Sequence, residues 1–207
     1  QDRFRTLAVN CAEAMQRAVP VGAGAMAAIL GLDADKVGAI CAEVAAATGA
    51  VVAPANFNDP LQTVIAGAKA AVDAACDRLK AAGAKRALPL PVSAPFHCAL
   101  MAPAAEELRA HLAAVRIGTP RIPVVNNIDV ATPGAPDAIR DALYRQAFGP
   151  VRWVEIVRAL RARGLTHVFE CGPGKVLAGL VKRVDGEITT TTVLDPASLA
   201  EAKGMLQ

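Results

Sequence analysis

An α/β fold is predicted, on three observations. Short apolar runs closed by glycine or proline alternate with longer runs of helical period. Within residues 25–93 these elements succeed one another in the order β-α-β-β-α-β with short connections, the ferredoxin-like arrangement. From residue 104 onward strands and helices alternate singly, as in an α/β layer structure.

Residues 6–18 read as a helix in which Cys11 and Met15 share a face with Val19, and Pro20, Gly22 and Gly24 break it. Residues 25–30, an apolar run closed by Gly31, read as a buried strand. Asp33 is placed to cap a helix in which Val37, Ile40, Cys41 and Val44 recur at helical spacing and which Gly49 closes. Residues 51–58 and 62–66 read as a hairpin joined by a tight turn at Asp59-Pro60. Val72, Cys76 and Leu79 mark a helix over 68–82, and residues 86–92 a further strand. Ala104, Leu108, Leu112 and Val115 make an amphipathic helix, with His111 beside its apolar stripe as a structural residue. Residues 122–127 show almost no polar alternation and read as a strand of a buried parallel sheet. Helices are expected over 138–148, 151–163, 175–184 and 197–205, and strands over 168–171 and 188–193. Three strands are few for a free-standing doubly wound sheet, so the second half reads as part of something larger.

The chain has 207 residues, enough for a sizeable core, and that core is alanine and valine rather than aromatic: the hydrophobic fraction is 54% and the aromatic fraction 3%. No apolar run reaches the roughly 18 residues of a membrane span, and no basic-then-apolar leader opens the chain. A soluble protein with no membrane partner is therefore expected. The net charge of +3 is too small and scattered to argue for nucleic acid, and is compatible with an anionic ligand. Cys11, Cys41, Cys76, Cys98 and Cys171 are odd in number and widely spaced, which points to a reducing, cytoplasmic compartment and against a disulfide framework or a zinc site. His97, His111 and His167 have no metal-ligand spacing to one another.

The organising stretch is residues 89–101, where a strand-like run ends in prolines and His97 precedes a helix-like run. At such a corner an imidazole either packs as a loop residue or stands at the edge of a cleft as a general base. Asn58 likewise either bonds to turn backbone or lines the cleft below His97 as a donor, while Asn126 and Asn127 read as turn residues. The loop from Cys171 to Lys175 is either a tight strand-to-helix turn or an anion cradle, and it is not a Walker A loop. The two serines, Ser93 and Ser198, lie outside any G-x-S-x-G elbow, and the Cys98 side chain should diverge from its neighbour His97. A base is present without a convincing nucleophile.

The run KRALPLPVSAPFHCALM over residues 85–101 closely resembles the malonyl-CoA:acyl-carrier-protein transacylases of fatty-acid synthesis. So do AMQRAVPVG at 14–22, GAMAAILGL at 24–32, NFN at 56–58, IPVVNNID at 122–129, IRDALYRQ at 139–146 and CGPGKVL at 171–177. The resemblance is collinear from about Ala14 to the C-terminus. It implies an α/β-hydrolase-like acyltransferase core carrying an inserted ferredoxin-like subdomain. Residues 1–24 would be a helix and linker of that core, 25–95 the small subdomain, and 96–207 the C-terminal part of the core, which is incomplete at its N-terminus.

It further implies ping-pong transfer of malonate from coenzyme A, by way of a serine, to the phosphopantetheine thiol of acyl carrier protein, with no cofactor beyond the coenzyme A thioester substrate and no metal. His97 would activate the serine, and the main-chain carbonyl of Gln146 would orient His97 in place of an aspartate. Asn58 is the candidate substrate-binding residue. The partners implied are malonyl-CoA, acyl carrier protein and a missing N-terminal segment, because the family's GHSLG serine lies N-terminal to everything present. The chain alone is expected to be inactive and to expose an apolar sheet edge near residues 122–125 and 168–171. The family's carboxylate-binding arginine corresponds to Cys11 here, the nearest preceding arginines being Arg3 and Arg5. The rival reading is a non-catalytic carrier-protein-binding module or inactive fragment.

Overall fold

The computed structural model describes residues 2–206, with side chains from Val9 onward. Two compact units divide the chain, one running to Arg152 and one from Trp153. The first contains α1 (Asp2–Ala18), β1 (Gly24–Leu30), α2 (Ala34–Thr48), β2 (Val52–Asp59), β3 (Gln62–Ala68), α3 (Lys69–Ala81), β4 (Arg86–Pro89), α4 (Ala102–Ala113) and α5 (Pro136–Gln146). The second contains α6 (Trp153–Ala162), β5 (His167–Cys171), α7 (Val176–Val184), β6 (Thr189–Val193) and α8 (Pro196–Gly204).

In the first unit the strands form one antiparallel sheet in the order β2-β3-β1-β4. The two-residue period of a strand sorts its side chains. Ala27, Ile29 and Ile65 point to one face and pack with Val37 and Val44 of α2 and Val72 and Leu79 of α3. Met26, Ala28, Val64 and Ala66 point to the other, where they meet Phe96, Cys98 and Leu100. The helices therefore cover one face, and the histidine corner is laid on the opposite one. Helix α2 starts and stops where its sequence says it should. The Lys36 N–H donates to Asp33 Oδ1 at 2.8 Å, and Gly49 takes φ +66° at the C-terminal end. Strand β4 is shorter than the run over 86–92 suggests: the Leu90 N–H still reaches the Met26 carbonyl at 2.9 Å, but Pro91 has no N–H to carry the ladder further.

Residues 122–127 are the largest departure from expectation, for no strand forms there. Ile122 is 76% and Val124 62% exposed. A strand needs a neighbour to take its N–H and C=O groups, and among the described residues no other strand lies beside this run. Its apolar pattern specifies burial but cannot supply the partner.

In the second unit β5 and β6 pair in parallel, from His167 with Thr189 to Cys171 with Val193. Val157, Val181 and Ile188 form its buried centre, with Trp153, Val168 and Val184 packed around them. The Glu170 carboxylate accepts the Leu177 N–H at 3.1 Å and the Ala178 N–H at 2.7 Å. The first turn of α7 is thus already capped by a carboxylate of the chain itself, and the loop from Cys171 to Lys175 is the tight turn, not an open anion cradle. Ser198 is engaged in the capping box of α8 with Asp195.

Candidate active site

The corner carrying His97 is anchored from both sides. Ala94 is 2% exposed and Met101 fully buried. Pro95 lies so close to β1 that a side chain on Gly24 would meet its Cγ and Cδ at 2.5 Å, so glycine is required there. Pinned between these contacts, His97 takes φ +60°, a left-handed conformation that costs a non-glycine residue about 1 kcal/mol or more. Cys98 turns the other way, its thiol donating to the Pro95 carbonyl at 3.1 Å. Burial pushes that thiol's pKa up, which disfavours the reactive thiolate.

His97 Nδ1 lies 3.2 Å from the main-chain oxygen of Gln146. A carbonyl can only accept, so Nδ1 carries the proton and Nε2 keeps its lone pair. The carbonyl is open for this contact because a proline stands one helical turn further on. Within a continuing helix it would accept from the N–H of residue 150, which is Pro150 and has none. The Gly149 N–H goes instead to the Arg145 oxygen at 2.9 Å. Burial lowers the His97 pKa below 6.5, and main-chain hydrogen bonding to Gln146 and Gly149 pulls it partly back. The ring should therefore be neutral at pH 7, and an NMR titration should place its midpoint below 6.5. Because the folded pKa is the lower one, this group's contribution to stability is present above 6.5 and is lost as pH falls from there through the folded midpoint. A midpoint above 6.5 would contradict the half-buried neutral imidazole.

The end of β2 is brought to the same place. The Phe57 N–H donates to the Val151 carbonyl at 2.9 Å, and the Val151 N–H to the Ala55 carbonyl at 2.8 Å. Asn56 and Val151 form a parallel bridge. Asn58 sits half-buried at the irregularity between Phe57 and Asp59, and among the described residues no hydrogen bond joins it to His97. Asn126 is the turn residue its sequence suggests, its Oδ1 accepting the Asp129 N–H at 2.7 Å. Asn126, Asn127 and Gln146 line an open cleft of about 350 Å³ whose other walls are apolar, among them Val124 and Leu143.

Cys11 packs with Met15 of α1 against Leu108 and Leu112 of α4, so that position makes an apolar contact rather than an anion site. The side chains of Arg3 and Arg5 lie outside the described residues. Among the described residues no hydroxyl or thiol is hydrogen-bonded to His97. The arrangement is a half-buried imidazole whose Nδ1 faces a main-chain carbonyl. Sequence reading missed Gly149 and Pro150, although a proline four residues after Gln146 was the available signal.

No family model matches the chain. It is 54% identical over 188 residues to the malonyl CoA-acyl carrier protein transacylase of Escherichia coli O157:H7, a match covering 91% of this chain and 60% of that protein. It is 46% identical over 189 residues to the protein of the same name from Bacillus subtilis strain 168, covering 90% and 59%. The chain thus spans about 60% of the length of the curated relatives it matches. Its structure is similar to the crystal structure of an acyl-carrier-protein S-malonyltransferase from Burkholderia pseudomallei 1710b, with TM-score 0.91, 60% identity, and coverage of 95% of this chain and 64% of that one. A malonyl-transacylase in complex with its type II PKS acyl-carrier protein matches at TM-score 0.92 and 50% identity, covering 95% and 63%.

Proposed function

The chain is a homologue of the malonyl CoA-acyl carrier protein transacylases over 91% of its length, and on that premise we propose that it carries the histidine half of such an enzyme. His97 is the general base and Gln146 its positioner, through the main-chain carbonyl. With a serine from a GHSLG-bearing segment beside it, His97 Nε2 takes the hydroxyl proton as the oxygen attacks the malonyl thioester carbonyl. The imidazolium then protonates the departing coenzyme A thiolate. In the return half, His97 deprotonates the phosphopantetheine thiol of acyl carrier protein, the thiolate attacks the malonyl-serine ester, and the proton goes back to the serine oxygen. Asn58, at the end of β2, is the proposed substrate-binding residue.

The observation that carries the proposal is the 3.2 Å contact between His97 Nδ1 and the Gln146 carbonyl, which leaves Nε2 as the base. The sheet order β2-β3-β1-β4 supports a ferredoxin-like subdomain over 25–95, with residues 1–24 and 96–207 assigned to an α/β-hydrolase-like core. Acyl carrier protein is the proposed acceptor, as a malonyl-transacylase similar to this chain is seen in complex with one. The free state of Cys11, Cys41, Cys76, Cys98 and Cys171 supports a cytoplasmic setting.

Intact-mass measurement after incubation with malonyl-CoA tests this. The chain alone should take up no malonyl group. With the serine-bearing segment added, that segment should become malonylated and pass the group to carrier protein. A stoichiometric adduct on Cys98, Ser93 or Ser198, or no transfer with the segment present, would overturn the reading.

A further inference from the structure

We propose that Asp129 and Arg145 are a positioning pair for His97, holding the end of α5 so that the Gln146 carbonyl faces the ring. The proposal takes its chemical meaning from the transacylase reading, and its structural content is separate. Arg145 immediately precedes Gln146. Its Nη1 and Nη2 donate to the two Asp129 oxygens at 2.6 and 2.7 Å, and its Nε to Asp141 Oδ2 at 2.7 Å. A planar guanidinium gripped at all of its nitrogens cannot rotate without breaking a bond. The Arg145 main-chain oxygen meanwhile accepts the Gly149 N–H at 2.9 Å, so residue 145 is fixed at both its side chain and its backbone.

The other partner is held as firmly. The Asp129 N–H donates to Asn126 Oδ1, and the Asn126 N–H to the Ala131 carbonyl at 2.9 Å. Between Asp129 and Ala131, Val130 takes φ +57°, a left-handed conformation that a β-branched residue adopts only when its surroundings impose it. The same turn also reaches the chain beyond Gln146. A side chain on Gly149 would overlap Ile128 Cδ1, Arg152 Nη1 donates to the Ile128 carbonyl at 3.2 Å, and the Arg152 N–H to the Asn127 carbonyl at 3.2 Å. Residues 126–131 therefore clasp the α5 terminus on both sides of the Gln146 carbonyl that faces His97 Nδ1. An ordinary exposed ion pair, worth about 0–1 kcal/mol, needs neither a strained neighbour nor a bidentate fork.

The ring itself reports the effect. Burial and main-chain hydrogen bonding to Gln146 and Gly149 are what act on it, with no charged side chain among the causes. Long-range imidazole ¹⁵N NMR of the full chain at neutral pH distinguishes the two neutral tautomers. The chain's histidines are His97, His111 and His167, and the His97 signals are those lost in His97→Gln. The parent should show the Nδ1-protonated form. Arg145→Ala should shift His97 toward the Nε2-protonated form that an unconstrained histidine side chain prefers, leaving His111 and His167 unmoved. Arg145→Lys and Asp129→Asn preserve side-chain size but not the fork, should give the same shift in part, and carry the test if Arg145→Ala does not fold. Arg78→Ala, which breaks a pair with Glu43 between α3 and α2, should change nothing at His97. An unchanged Nδ1-protonated signature in the Arg145 and Asp129 single variants would overturn the proposal. No acyl transfer is measured, so that result would leave the transacylase reading standing, and a failed transfer assay would leave this one.

Discussion

Replacing His97 by alanine should lower malonyl transfer by about 10²–10⁴-fold, the usual contribution of a positioned general base. The assay is transfer from malonyl-CoA to carrier protein with the serine-bearing segment present. The expectation rests on one contact, Nδ1 to the Gln146 carbonyl at 3.2 Å, which leaves the other nitrogen available for the proposed role as base. His97 also occupies a left-handed backbone position at φ +60°, so alanine alters the corner as well as the chemistry. Asparagine tolerates that conformation and is no base, so His97→Asn should show nearly the whole loss with the corner intact. Gln146→Ala should lose far less, because the orienting group belongs to the backbone and alanine carries the same carbonyl. Activity of His97→Asn within a few-fold of the parent, or an equal loss in Gln146→Ala, would remove these residues from the proposed roles.

Gly67→Ala should destabilise the first unit by about 3 kcal/mol or more, read as a lower midpoint in guanidinium denaturation monitored by circular dichroism. Gly67 lies in β3, paired with Ala25 of β1 on one side and Val52 of β2 on the other. A methyl group there would overlap the Val51 carbonyl oxygen and lie 2.7 Å from the Val52 Cα. Both obstacles are main chain, and the Val51 oxygen already accepts the Ala68 N–H at 2.8 Å, so neither can move without opening the ladder. Gly38→Ala is the matched control. That residue lies inside α2, where the nearest atom to a new methyl is Pro54 Cγ at 3.8 Å. There the change should stabilise by about 0.5–1 kcal/mol through helix propensity. A Gly67→Ala protein as stable as its parent would mean the β2–β3 pairing is looser than described.

The two sites differ in how legible they are in the sequence. The elements around Gly67 come from local signals. The unbroken apolar run over 25–30 marks a strand buried on both sides, and the pleat then puts Met26 and Ala28 on one face and Ala27 and Ile29 on the other. The caps at Asp33 and Gly49 bound α2 where their side chain and backbone freedom allow. That Gly67 must be glycine is not legible, because the obstacle is the backbone of another strand. His97 is singled out by its proline-bounded corner, and the family resemblance points to Gln146. Their mutual approach is still not legible from spacing, since it joins residues 49 positions apart.

What the amino-acid sequence by itself determined was therefore the identity, order and termini of most elements, and which histidine stands at a proline-bounded corner. Those are properties of neighbouring residues: period, capping chemistry, and prolines without an N–H. Tertiary structure alone decided that the apolar run over 122–127 forms no strand and that the α7 terminus is capped by Glu170. It alone decided that Arg145 closes on Asp129 and that the carbonyl facing His97 is the one left open by Pro150. The physical reason is common to all of them. A strand needs a partner, a charge a counter-charge, and a ring a hydrogen-bond acceptor, while every residue carries the same carbonyl. Which one is offered is settled only when distant parts of the chain are brought together.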